Sequence, residues 1–109
     1  MKVEVRGTLF YNTSCVPGDS VILESEESNK FNPRAIKVMH VPRKWNPELC
    51  VHEYPFENVM VGYVADEQIE DVYATGLVDS QRECVCVLAK VHAFWIDTDI
   101  TNPNDVLVY

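Results

Sequence analysis

The sequence lacks the features of a membrane-spanning, secreted or nucleotide-driven protein. None of its apolar runs approaches the roughly 20 residues that a membrane-spanning helix needs, and its amino-terminal MKVEVRG contains no signal-peptide core. It has four glycines, and none falls in the GxxxxGK(S/T) or GxGxxG spacing that holds nucleotide phosphates. We therefore expect a cytoplasmic protein that has no membrane partner and no ATPase activity of its own.

A recognisable catalytic group is also missing. No nucleophile elbow occurs in the chain, and nothing identifies a base for Cys15. The histidines, His40, His52 and His92, lie in or beside apolar runs, where a hydrogen-bonded core or surface histidine is the commoner case. We therefore expect a protein that is not an enzyme, and a small metal-dependent or hydrolytic enzyme is the weakest alternative.

Basic residues are scarce. The chain has 9 Lys and Arg against 17 Asp and Glu, for a formal net charge of -8, whereas binding to nucleic-acid phosphates relies on cations. The distribution is uneven, because residues 28–47 contain no Asp or Glu and carry the cations Lys30, Arg34, Lys37, Arg43 and Lys44. A local basic patch on an acidic body and ordinary solvated faces both remain open.

Length and composition indicate one compact domain. A chain of 109 residues can bury a single core, and its 47% hydrophobic and 24% charged content is close to the globular average. We find no internal repeat and no low-complexity segment. One domain is therefore predicted over residues 1–109.

Alternation of apolar and polar residues predicts a mostly β fold. A helix should follow the strand at 59–64, with Asp66 as its cap and Gly76 as its stop, and Gly62 should let another backbone approach closely. The apolar stretch 82–96 is either one long strand or two strands joined near Lys90. Strands are predicted within residues 1–11, 21–23, 35–41, 59–64 and 82–96. About five or six short strands with one late helix indicate a small β-barrel.

Residues 42–58 are the least regular segment. They contain three prolines with aromatic residues between them, and their length exceeds that of most loops. We interpret the segment as an irregular insertion, either packed on its own aromatic rings or mobile.

The four cysteines raise the question of a metal. Cys50-x-His52 and Cys84-x-Cys86 each place two potential zinc ligands on one face of a strand. Cys84 and Cys86 also lie in an apolar strand, where cysteine acts as a small hydrophobic residue. We expect no cofactor and keep zinc as the alternative, while a disulfide framework does not fit a cytoplasmic protein.

The stretch 21–38 contains the most specific pattern in the chain. Two apolar runs flank a polar loop in which Phe31 is an aromatic ring with no periodic partner. Pro33 restricts Asn32 to extended backbone, so the loop should be stiff. Phe31 is then either presented to a ligand or used to plug the mouth of the barrel.

This loop and a second block resemble the HIRAN domain family. The family has an acidic residue followed by Asn, an aromatic, Asp and Ala-Ile-x-Val, and a Val-Gly-aromatic-apolar strand that leads into a helix. The corresponding residues here are Glu26, Asn29, Phe31, Asn32, Ala35, Ile36 and Val38, then Val61, Gly62, Tyr63 and Val64. The resemblance implies a modified OB-like or SH3-like barrel that binds single-stranded DNA ends at the 3'-hydroxyl. Such domains often accompany a helicase, ATPase or nuclease, in DNA repair or processing.

The resemblance also implies roles for individual residues. Phe10 and Phe31 match the aromatics that stack on the terminal base, and such stacking is worth roughly 1–3 kcal/mol per base. Asn29 matches a loop asparagine near the DNA backbone. Asn32 stands where the family has an Asp that contacts the 3'-hydroxyl, and Tyr63 stands where a His or aromatic approaches phosphate.

Three departures from the family pattern bear on function. Asn32 keeps an acceptor oxygen but lacks the charge of the family Asp, and Asp66 replaces a basic residue. Lys30 and Arg34 are cations gained beside the motif, and with Tyr63 they are the predicted phosphate contacts. The sequence thus predicts a nucleic-acid-end binding module, and the alternative is an acidic protein-interaction module that has lost DNA binding.

Overall fold

The computed structural model describes residues 1–8, 11, 15–42, 44–53, 57–90 and 93–99. Two residues of the predicted sites and patches, Phe10 and Arg43, lie outside this part of the chain. The described part contains β1 (Lys2–Arg6), β2 (Ser20–Ser25), β3 (Ile36–His40), β4 (Lys44–Asn46), β5 (Val51–Glu53), β6 (Val59–Val64), a 3₁₀ turn (Asp66–Gln68), α1 (Ile69–Ala74), β7 (Cys84–Lys90) and β8 (Ala93–Asp97). None of the described helices has the length and apolar character needed to cross a bilayer.

Six strands form one antiparallel sheet in the order β1-β6-β3-β2-β7-β8. β8 pairs in turn with β1, so each of these strands has two neighbours. The coarse prediction of a small, mostly β domain with one short helix is therefore confirmed. Residues 82–96 form two paired strands, β7 and β8, which is the second of the two alternatives predicted for them.

The core follows from the alternation along these strands. Val21 and Leu23 on β2 face inward with Ile36 and Val38 on β3, and α1 adds Ile69 and Val72 from outside the sheet. All of these side chains are buried. Because successive residues of a strand point to opposite faces, Lys37 on β3 lies outside this cluster and is partly exposed, whereas Ile22 on β2 is buried on the opposite face.

Gly62 has the role that the sequence predicted. A Cβ atom at this position would lie 2.4 Å from the carbonyl oxygen of Arg6 on β1 and 3.1 Å from a methyl group of Val5. Only a residue without a side chain allows β1 and β6 to approach this closely.

Two local predictions were wrong. Asp66 does not cap a helix, because it starts a 3₁₀ turn without a side-chain cap, and α1 follows only from Ile69. The insertion is not irregular throughout, because β4 and β5 pair as a two-stranded sheet. The Asn46 side chain accepts hydrogen bonds from the amides of Glu48 and Leu49, at 3.0 and 3.3 Å, which stabilise the turn between them.

Candidate nucleic-acid interface

A hydrogen-bonded loop joins β2 to β3. The amide of Glu26 donates to the carbonyl of Ala35 at 3.0 Å, and this bond closes the loop at its base. Within the loop the amide of Asn29 donates to the carbonyl of Glu26, and the amide of Ala35 donates to that of Asn32, both at 3.0 Å. The loop backbone therefore has the fixed conformation that Asn32-Pro33 predicted.

Asn29 organises the tip of this loop. Its Oδ1 accepts hydrogen bonds from the amides of Phe31 at 2.9 Å and Asn32 at 3.0 Å, while its Nδ2 donates to Oε1 of Glu26 at 3.0 Å. The Oδ1 atom of Asn32 accepts from the amide of Arg34 at 2.9 Å. Both asparagines thus form local side-chain turns that hold Phe31 between them.

Phe31 projects from the loop into solvent. It is 98% exposed, which is unusual for a residue type that is normally buried. The alternative in which this ring plugs the end of the sheet is therefore wrong.

Tyr63 connects the loop to the sheet. Its hydroxyl donates to Oε1 of Glu26 at 2.8 Å, and its ring makes an edge contact with Tyr11, with centroids 6.5 Å apart. Partial burial and the bond to Glu26 raise the pKa of Tyr63 to about 12. Hydrogen bonds from Tyr63 and Asn29 lower the pKa of Glu26. The hydroxyl of Tyr63 is thus oriented toward Glu26, and its structural role is to position the loop.

Two of the predicted basic residues form ion pairs. Arg34 binds Glu70 of α1 with two hydrogen bonds, Nε to Oε1 at 2.9 Å and Nη2 to Oε2 at 2.7 Å, and its guanidinium lies 3.9 Å from the ring centroid of Tyr73. Lys37 pairs with Glu24 at 3.5 Å. These contacts reduce the positive charge available to a phosphate.

Of the predicted loop cations, Lys30 is exposed at the tip beside Phe31. The structure therefore brings together Asn29, Lys30, Phe31 and Asn32 on one loop, with Arg34 and Tyr63 at its base. Sequence reasoning missed Glu70 as the partner of Arg34, because these residues lie 36 positions apart and no local pattern links them.

The predicted zinc ligands do not come together. Cys50 and His52 lie in the exposed β4–β5 segment, whereas Cys84 and Cys86 are fully buried in the core. In the described residues these four side chains supply no group of three donor atoms close enough for a metal. Burial raises the pKa of Cys84 to about 11, and none of the four cysteines of the chain forms a disulfide.

Comparison with known proteins returned no match for this chain among protein-family models, curated proteins or solved structures.

The network through Glu26 predicts a pH dependence. The pKa of Glu26 is lowered in the folded state, so its contribution to the free energy of unfolding is present above the unfolded value of about 4.3 and is lost as pH falls through the lower folded pKa. We expect Glu26→Gln to be less stable than the parent protein near pH 7, and this difference to shrink below about pH 4. Urea unfolding near pH 7 and below about pH 4 measures this difference in the free energy of unfolding.

The matched control is Glu27→Gln, at the exposed neighbouring position. It should leave the free energy of unfolding within about 0.5 kcal/mol of the parent value at both pH values. A stability difference for Glu26→Gln that stays constant with pH would contradict the assigned role of the carboxylate.

Proposed function

We propose that this protein is a HIRAN-type module that binds single-stranded DNA ends, with the ring of Phe31 stacking on the terminal base. The supporting observation is a fully exposed aromatic ring on a loop whose backbone is held by side-chain hydrogen bonds. Stacking of a base on such a ring contributes roughly 1–3 kcal/mol. Because the loop is already ordered, binding costs little further conformational entropy.

The residues around Phe31 define the proposed contacts with the DNA end. The second acceptor lone pair of Asn32 Oδ1 receives the 3'-hydroxyl, since a carbonyl oxygen has two. Lys30 binds the adjacent phosphate, and Phe10 is the second stacking residue that the family resemblance implies. In this proposal the domain is an OB-like or SH3-like barrel, and it acts in DNA repair beside a helicase, ATPase or nuclease.

Arg34 can contact a DNA phosphate only if its guanidinium leaves Glu70. Its guanidinium is held by Glu70, and both side chains of this pair are more than half exposed. Exposed ion pairs of this kind contribute little to stability, so a phosphate can replace the carboxylate at low cost. DNA affinity should then decrease with salt.

Substituting Phe31 tests the proposal. We expect Phe31→Ala to weaken binding of a short single-stranded DNA by about 5- to 150-fold, the loss of one base stack. Because the ring makes little contact with the domain, thermal stability should remain within about 0.5 kcal/mol of the parent value. Fluorescence anisotropy with a labelled strand, at low and moderate salt, measures the affinity.

The controls separate base stacking on Phe31 from a general effect of losing an exposed apolar side chain, and from recognition of the 3' end. Phe31→Trp should keep the affinity because it keeps an aromatic face, and Leu49→Ala should keep it because it removes an exposed apolar side chain elsewhere. A strand that ends in a 3'-phosphate should bind more weakly than one with a free 3'-hydroxyl. Equal affinity of Phe31→Ala and the parent protein would refute the proposed stacking.

A protein-interaction module is the second candidate function. It is favoured by the ion pairs of Arg34 and Lys37 and by the net charge of -8. In that case Phe31 anchors a partner protein in place of a base. Absence of binding to either strand at low salt would favour this function over the first.

A further inference from the structure

A second group of polar side chains lies at the end of the sheet where β2 begins and β3 ends. His40, the last residue of β3, is paired with Val21 of β2 and is buried. Asp19 directly precedes β2, and Cys15 is buried in the turn before it. The ligand atoms of Cys15, Asp19 and His40 all lie within 4.8 Å of one another.

The backbone of Cys86 holds the turn that carries two members of this group. On β7 its amide donates to the carbonyl of Asp19 at 2.9 Å, and its carbonyl accepts from the amide of Gly18 at 2.8 Å. One thiol, one carboxylate and one imidazole therefore meet from two segments of the chain, and the backbone of β7 holds the segment that carries Cys15 and Asp19.

The spacing of these groups fits a tetrahedral metal site. Zinc binds sulfur at about 2.3 Å and nitrogen or oxygen at about 2.1 Å, so its nitrogen and oxygen ligands lie roughly 3.4 Å apart. The Nε2 atom of His40 lies 3.3 Å from Oδ2 of Asp19. Soft sulfur with imidazole and carboxylate selects zinc over magnesium or calcium.

The turn that carries two of these residues is already ordered. The amide of Val16 donates to Oδ2 of Asp19 at 3.0 Å, and the amide of Asp19 donates to the carbonyl of Val16 at 3.0 Å. A hydrogen bond of this kind orients a ligating carboxylate.

We propose that this group, the β2-entry site, binds one Zn²⁺ through the three side chains Cys15, Asp19 and His40. Three protein ligands leave the fourth tetrahedral position to a solvent molecule. The metal ties the turn before β2 to the end of β3. Binding of Zn²⁺ displaces the thiol proton of Cys15 and forms one zinc–thiolate bond, without oxidation or reduction.

Metal titration of the reduced protein tests this proposal. The full chain is purified with a reductant, stripped with a chelator and titrated with Co²⁺, which reports tetrahedral thiolate ligation by its visible and charge-transfer absorption. We expect saturation at one Co²⁺ per chain and full displacement by one Zn²⁺. Zinc should also raise the melting temperature, because it binds only the folded state. Reduced protein that shows neither absorption nor saturable zinc binding would overturn the proposal.

Substitutions identify the ligands. Cys15→Ser should weaken zinc binding by at least about a hundredfold, more than the loss of a second-shell partner usually costs, whereas Cys50→Ser should leave it unchanged because Cys50 is exposed in another part of the fold. Asp19→Asn serves as a second variant at the partly exposed rim of the site and should also weaken binding, with circular dichroism confirming the fold. Equal zinc affinity of Cys15→Ser, Asp19→Asn and the parent protein would refute the assignment.

Discussion

Gly62→Ala should destabilise the domain by about 3 kcal/mol, near the upper end of what overpacking usually costs. The added methyl group would lie 2.4 Å from the carbonyl oxygen of Arg6, and that atom belongs to the backbone of a paired strand, which cannot rotate away as a side chain can. β1 and β6 must separate to relieve the contact. The midpoint of urea unfolding should therefore fall strongly, and the measurement is the free energy of unfolding at neutral pH.

Gly7→Ala provides the matched control. Gly7 has a φ of +81°, and a Cβ atom there has nothing within 4 Å. Alanine at Gly7 should therefore lower the free energy of unfolding by about 1–2 kcal/mol through backbone strain alone. At Gly62 the loss comes from the steric contact alone. A smaller loss at Gly62 than at Gly7 would contradict the close approach of β1 and β6.

Leu23→Ala should cost about 2–5 kcal/mol of the free energy of unfolding. Leu23 is 1% exposed and belongs to the main core cluster, where β2 pairs with β3 opposite Val38. Removing its isobutyl group leaves a cavity that the two paired strands cannot close, because their backbones are fixed by the ladder. Chemical denaturation measures the loss.

Leu49→Ala makes the same chemical change at a surface position. Leu49 is 66% exposed in the turn between β4 and β5, so its truncation should change stability by no more than about 0.5 kcal/mol. Similar losses for the two variants would mean that β2 does not face the core as described.

The candidate interface and the β2-entry site lie at opposite ends of the β2–β3 pair. The Phe31 loop joins the carboxyl end of β2 to the amino end of β3, whereas Asp19 precedes β2 and His40 ends β3. Ser25 pairs with Ile36 at the loop end and Val21 pairs with His40 at the other. A defect at one end can therefore be measured separately from a defect at the other, which keeps the DNA and zinc experiments independent.

Local sequence determined the main elements of this protein. Short apolar runs rich in β-branched residues predicted the strands around Val21 and Val38, Gly62 marked a close backbone approach, and Asn32-Pro33 indicated a stiff loop around Phe31. Each of these features depends on neighbouring residues along the chain, through strand periodicity, steric size or proline geometry. The prediction of Asp66 as a helix cap failed, because the chain forms a 3₁₀ turn there before α1 begins.

Tertiary structure alone decided which side chains meet. Arg34 pairs with Glu70 and Tyr63 with Glu26 across 36 and 37 positions of the chain, and Asp19 meets His40 at the other end of the β2–β3 pair. The two pairs of predicted zinc ligands lie in separate parts of the fold, because Cys50 is in the β4–β5 turn and Cys86 is in the core. Strand pairing and register set these contacts, and a register depends on the whole sheet, so the periodicity of any single segment does not encode it.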